Sequence, residues 1–289
     1  MLNPFFWIKR ASHRRWFYLL IVVVVALGLG VGLPNTSSAF DLCGLLDGDP
    51  GIEIIQLITM SDQQEVELGR CLNQQKVAQG LKIYSGRKIT EYVQEIGQRL
   101  IPYSDRPNFP YTFQVVRDNE INAFASVGGF VYVHTGLLKW VENEAELAAV
   151  IAHEIAHITS KHSIEKLRQF IKNNNFSKIE YKTIINLLED IAFSLPQERQ
   201  HEYEADRKGL EMLHDAGYAP SGMTGFFQKL ITIEKKSTNQ PAMLRTHPET
   251  AKRLDTLNEI INRKSWNTND GYGLDSDAYK RRIQSLPIE

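Results

Sequence analysis

The sequence predicts an α+β fold, mainly helical, with one small β-sheet. Three observations carry this expectation. Apolar residues recur at helical spacing through most of the chain, as in Ile89, Tyr92, Val93, Ile96 and Leu100. Strand-forming residues gather in a single short stretch, between Tyr111 and Val133. Gly and Pro punctuate the intervals, at Gly86, Pro102, Pro107, Pro110, Gly217 and Pro220.

Taken in order, Ser61 with Gln64 resembles a capping box and opens a helix that runs toward Ile83. Gly86 breaks it, and a second amphipathic helix reaches Leu100. Tyr111 to Val116 alternates as a strand. Ile121 to Ala125 and Phe130 to Val133 read as two more, separated by Ser126-Val127-Gly128-Gly129, where glycine lets the backbone turn sharply or approach closely. Asn143 with Glu146 caps the next helix, whose Leu147, Ile151, Ile155 and Ile158 should pack inward. After Thr159 the chain turns polar, Asn173-Asn174-Asn175 interrupts it, and Ile184 to Phe193 is amphipathic again. Pro196 suits the start of a further helix and Gly217 its end. Ser221 begins a helix through about Lys235. A loop with Thr246-His247-Pro248 then leads into a last helix built on Leu254, Leu257, Ile260 and Ile261. The tail from Trp266 is expected to be irregular.

The chain opens with a targeting segment. Lys9, Arg10, Arg14 and Arg15 precede 19 residues without charge, Trp16 to Pro34, and Thr36-Ser37-Ser38-Ala39 resembles a small-residue cleavage site. Cleavage after Ala39 would leave a soluble exported protein, whereas an uncut segment would tether it to a membrane. Either way residues 40–289 are exported, to a periplasm or cell envelope, and are long enough for a single domain with a sizeable core. The segment carries four positive charges and no negative one, so its removal moves the net charge from −1 to −5. A mildly acidic domain without a basic run gives no case for nucleic-acid binding. Cys43 and Cys71, the only cysteines, both lie in the exported part, where a disulfide and two free thiols are equally open.

The chemistry concentrates in His153-Glu154-Ile155-Ala156-His157 and, after 44 intervening residues, in Glu202-Tyr203-Glu204-Ala205-Asp206. Residues four apart share a helix face, so His153 and His157 can aim their imidazoles at one point, and Glu202 and Asp206 likewise share a face. Two imidazoles and a carboxylate hold Zn²⁺ with one position open for water. Glu154 is rotated by about 100° from His153, where a base for that water should stand. A third histidine in the pattern HExxHxxGxxH would need Gly at 160 and His at 163, but the chain has Ser160 and Ser163. The third ligand must come from elsewhere, and His162 reads as a surface residue. His201 adjoins Glu202 but points about 100° away from it, outside the ligand set.

With these two motifs the sequence resembles the M48 peptidases, most nearly their exported bacterial branch concerned with outer-membrane protein assembly. Glu65-Val66-Glu67-Leu68-Gly69-Arg70, Asn122-Ala123-Phe124-Ala125, the run Gly128 to Leu137 and Thr246-His247-Pro248 support the likeness, which covers about residues 60–262. The chain ends at Glu289 without the C-terminal helical repeats of some members, so single-domain members are the expected match.

The resemblance implies a zincin-like fold with a small antiparallel sheet whose edge strand binds substrate through Asn122, Ala123 and Phe124. His153, His157 and Glu202 would hold one Zn²⁺, Glu154 would activate the water, and Asp206 would orient a ligand histidine. His247 would approach the metal site, to fill its open position or stabilise an oxyanion, though it could also only cap the last helix. Residues 160–195 would form a lid over the cleft or a packed extra layer. The expected function is zinc-dependent endopeptidase action on unfolded or misassembled envelope polypeptides, in reach of the outer-membrane assembly machinery. A chaperone or assembly factor with a largely structural zinc site is the alternative.

Overall fold

In the computed structural model the described residues are 52–53, 59–174, 178–179, 181–193, 196–236 and 240–287, all within one compact unit, Leu42–Glu289. The targeting segment (1–39) and Cys43 lie outside them. Cys71 is disulfide-bonded. Among the described residues, no helix is long and apolar enough to cross a membrane.

A two-residue strand, β1 (Ile52–Glu53), precedes helix α1 (Asp62–Ala78). Ser61 and Gln64 form the expected capping box, so two amide donors at the start of α1 are satisfied locally. α1 stops short of Ile83, which instead bridges to Val116. Helix α2 (Arg87–Leu100) buries Ile89, Tyr92, Val93, Ile96 and Leu100, the stripe its spacing dictates.

Strands β2 (Thr112–Val116), β3 (Ala123–Ser126) and β4 (Phe130–His134) form a sheet in the order β2-β4-β3. The sheet is mixed rather than antiparallel: β3 and β4 form an antiparallel hairpin, but β2 runs parallel to β4. The chain crosses from β2 to the far edge before β3 returns through Gly128 and Gly129 to lay β4 in the middle. Both glycines have positive φ (78° and 87°), and a Cβ at Gly128 would fall 2.7 Å from Gly69 Cα. That close crossing ties α1 to the sheet and explains glycine on both sides of it. β3 is left as an edge strand.

After a short helix α3 (Thr135–Trp140), helix α4 (Glu144–Thr159) begins at Asn143, whose side chain accepts from the Glu146 N–H at 2.9 Å. Every residue of α4 from Ala145 onward is buried, which makes it the central helix of the main core. Helices α5 (His162–Asn173) and α6 (Tyr181–Phe193) form a second apolar cluster with α1, and between them a two-residue strand β5 (Lys178–Ile179) pairs with β1. α6 also packs against β3.

Helix α7 (Arg199–Asp215) packs on α4, and helix α8 (Ser221–Lys236) covers α4 from another side. A short helix α9 (Ala242–Thr246) and helix α10 (Thr250–Lys264) complete the surroundings of α4 and α7. The tail is not wholly irregular: Asp275 caps helix α11 (Ser276–Ile283), and Tyr279 buries its ring and donates to the Leu138 carbonyl at 2.7 Å. One buried aromatic anchor holds a helix that lacks a long apolar stripe.

Candidate metal centre and active site

One turn of α4 presents His153 and His157 toward α7, where Glu202 stands in the first turn. His157 Nε2 lies 3.0 Å from His153 Nε2 and 3.2 Å from Glu202 Oε1. His247, just past α9, adds its Nδ1 at 3.3 Å from His153 Nε2 and 3.0 Å from Glu202 Oε1. One donor atom from each of these four residues fits within 4.8 Å of all the others, and all four residues are buried. Three imidazoles and one carboxylate converging on one point form a nitrogen-rich donor set suited to Zn²⁺. His247 does not cap the last helix, since Glu249 precedes α10 and no side chain caps it.

Electrostatics fit the same role. Burial alone would raise Glu202, but the Arg253 guanidinium, His247 and His157 hold its carboxyl well below its ordinary range. Burial drives His157 well below the ordinary imidazole value, as a neutral metal ligand requires. Burial pushes His247 down, but Glu202 and Glu154 together outweigh it and hold the ring above its ordinary value in the metal-free cluster.

Glu154 is 1% exposed and sits beside the cluster, its Oε1 3.8 Å from His247 Nε2. Burial raises its pKa, opposed mainly by His247 and His153. The edge strand β3 packs against α4, the helix that carries Glu154. Asn122 and Ala123 are buried at the start of that strand, and Phe124 stacks on Tyr132 at 4.6 Å.

Asp206, one turn beyond Glu202, brings Oδ1 to 3.0 Å from His153 Nδ1, off the line of its N–H. It is gripped from behind by Arg253, whose Nη2 and Nε donate to its two oxygens at 2.6 and 2.7 Å. Arg253 also pairs with Glu202 and donates to the His247 carbonyl at 3.3 Å. The sequence reading passed over Arg253. Its signal was a cation at 253 on the stripe continued by Leu257, Ile260 and Ile261, a stripe that α10 buries.

His162 corrects an expectation. It is 1% exposed, not a surface residue, and its Nδ1 lies 2.8 Å from His157 Nδ1. Lys161 takes up a left-handed conformation (φ 55°), which turns the chain out of α4 and starts α5 with His162 facing back. Burial and His201 lower its pKa to about 4. His201 is not one of the four clustered residues and stacks on His162 with ring centroids 4.1 Å apart.

A buried His-His-Glu set on two helices, with an adjacent glutamate and an edge strand, defines a metal-dependent hydrolase of the HExxH class. The chain belongs to peptidase family M48, a family of zinc metallopeptidases, and residues 87–261 match that family. It is similar to the beta-barrel assembly-enhancing protease of Yersinia pestis, 30% identical over 226 residues, which cover 71% of this chain and 45% of the relative. The Escherichia coli (strain K12) protein of that name is 29% identical over 216 residues, covering 68% and 43%. The mitochondrial metalloendopeptidase OMA1 of Schizosaccharomyces pombe is 31% identical over 181 residues, covering 60% and 53%. The chain thus spans less than half the length of the two bacterial relatives.

Proposed function

We propose that this protein is an exported zinc endopeptidase acting on unfolded or misassembled cell-envelope polypeptides. In this reading His153, His157 and Glu202 are the metal ligands, Glu154 is the general base, His247 assists, and residues 40–289 work as one catalytic domain. The observation that carries it is Glu154, buried beside the ligand set on the helix that packs against the edge strand. A purely structural zinc site needs ligands but no such base.

A bound Zn²⁺ would supply Lewis acidity, polarising the scissile carbonyl and lowering the pKa of the attacking water. Glu154 takes the proton of that water, a task its burial-raised basicity suits, and returns it to the leaving amine. His247 Nε2, 3.8 Å from Glu154, is positioned to donate to the carbonyl oxygen as charge develops there. Replacing His247 by Ala is therefore expected to lower turnover by about 10²–10³-fold while zinc stays bound. Zinc loss equal to that of Glu202→Ala would contradict this assignment.

The β3 pairing register leaves the main-chain groups of Ala123 and Ala125 at the free edge, where an extended substrate can pair. Recognition through main chain suits loose specificity for unfolded segments. Because α6 packs against β3, the α5–α6 region acts as a lid that such a substrate displaces. The disulfide at Cys71 suits an oxidising compartment, consistent with residues 1–39 acting as an export segment that tethers the protein to the membrane if uncut. The names of the bacterial relatives support action near the outer-membrane assembly machinery.

The test is cleavage of a reduced, unfolded polypeptide by zinc-loaded protein, by chelated protein, and by chelated protein given zinc again. Cleavage that follows zinc supports the proposal. Zinc-independent cleavage, or none with zinc bound, contradicts it.

A further inference from the structure

The two histidines of the ligand set need partners on their far ring nitrogens, because a metal-bound imidazole carries its remaining proton there and a buried N–H without an acceptor is unfavourable. His157 turns Nε2 toward the cluster, 3.2 Å from Glu202 and 3.0 Å from His153 Nε2. Its Nδ1 therefore bears the proton whenever Nε2 gives its lone pair to a metal. The group facing that Nδ1 is His162, with Nδ1 at 2.8 Å. It can only accept there, which puts its own proton on Nε2, directed at Glu204 Oε2 at 3.4 Å. Glu204 in turn accepts from Ser160 at 3.1 Å and pairs with Lys208 at 2.7 Å. The chain of donors runs one way, from His157 through His162 to Glu204, and it fixes the tautomer of both rings.

The surroundings hold the His162 ring in place. His201 stacks on it with an interplanar angle of 11°, and His201 Nε2 is itself 3.3 Å from Glu165. α5 begins at His162, so the ring is carried by the first residue of the helix that follows the left-handed turn at Lys161.

We propose that His162 is a positioning residue for the metal centre: a buried imidazole acceptor that fixes the tautomer and ring orientation of the zinc ligand His157. This assignment deepens the reading of the site as a zinc centre, but it concerns metal binding and not peptide cleavage. The two can therefore fail separately.

The experiment measures Zn²⁺ affinity of the full chain by competition with a chromophoric chelator, for the wild type, His162→Leu and His162→Asn. Leu fills space without an acceptor, whereas Asn sets an amide oxygen near the position of Nδ1. Thermal unfolding of each protein in excess chelator reports packing without metal. The expected result is a loss of about 10–100-fold in zinc affinity for His162→Leu, substantial recovery in His162→Asn, and metal-free melting that does not follow the zinc ranking. Wild-type affinity in His162→Leu would overturn the proposal. Equal zinc loss in both variants, with or without loss of metal-free stability, would also overturn it and leave His162 a packing residue. The expected zinc ranking, with no cleavage of unfolded polypeptide by the zinc-loaded wild type, would count against the peptidase reading alone.

Discussion

His153 and His157 stand one turn apart on the same buried helix, yet they are backed in opposite ways. Behind His153 lies a carboxylate, Asp206, clamped by the guanidinium of Arg253. Behind His157 lies a neutral imidazole, His162, in a stacked pair with His201. The first backing is a buried ion pair, strong in Coulomb terms and costly to desolvate, so it depends on all its members. The second carries no net charge at its centre and passes its polarity to Glu204, where solvent and Lys208 are at hand. One side is therefore expected to be brittle to substitution and the other graded.

The largest effect among these backings belongs to Arg253→Leu. Two buried carboxylates lose their counter-charge, and removing one partner of a buried pair costs about 3–5 kcal/mol. Chemical unfolding of the metal-free protein measures it. A change below about 1 kcal/mol would mean the arginine behaves like a surface charge. Asp206→Asn comes next, with zinc affinity weakened by about 10–100-fold in a chelator competition. Unchanged affinity would show that the His153 backing has no bearing on the metal.

Acidification separates the two sides further. Burial would raise Asp206 and Glu202, but Arg253 overrides it and holds both below their ordinary values. Carboxyls whose folded pKa is depressed give their full stabilisation above the unfolded value, near about pH 4, and lose it as pH falls through the folded one. The metal-free wild type should thus lose stability below about pH 4, whereas in Arg253→Leu burial without the counter-charge raises both carboxyls, so the variant, already less stable, should lose less over the same range. Melting in chelator across that range checks the sign, and superimposable pH profiles would refute it. The smallest effect is expected from Gly209→Ala. Its Cβ would fall 3.1 Å from the His153 backbone nitrogen, at the close approach of α7 to α4, for a cost of about 1 kcal/mol. A thermal melt without metal reads it.

Much of this site was legible because its geometry is local. The i, i+4 spacings of His153 with His157 and of Glu202 with Asp206 need only a helix, and the caps at Ser61 and Asn143 could be read from neighbouring residues. The pairing of the two motifs across 44 residues was reached through resemblance, since no spacing rule joins separate helices. What escaped was set by long-range packing. His162 looked exposed because the segment after Thr159 is polar, and nothing marks a left-handed Lys161 in advance. Arg253 carries a signal within its own helix, a cation on an apolar stripe, but its partners lie on α7 and beside α9. The parallel pairing of β2 and β4 depends on a crossing between sheet edges that strand patterns do not encode.

The most direct measurement compares wild type and Glu154→Gln, each with its zinc counted, for cleavage of an unfolded polypeptide. The account predicts one zinc in both proteins, cleavage by the wild type, and a loss of at least about 10²–10⁴-fold in the variant. Equal cleavage by the two proteins, or none by either with zinc in place, would contradict it.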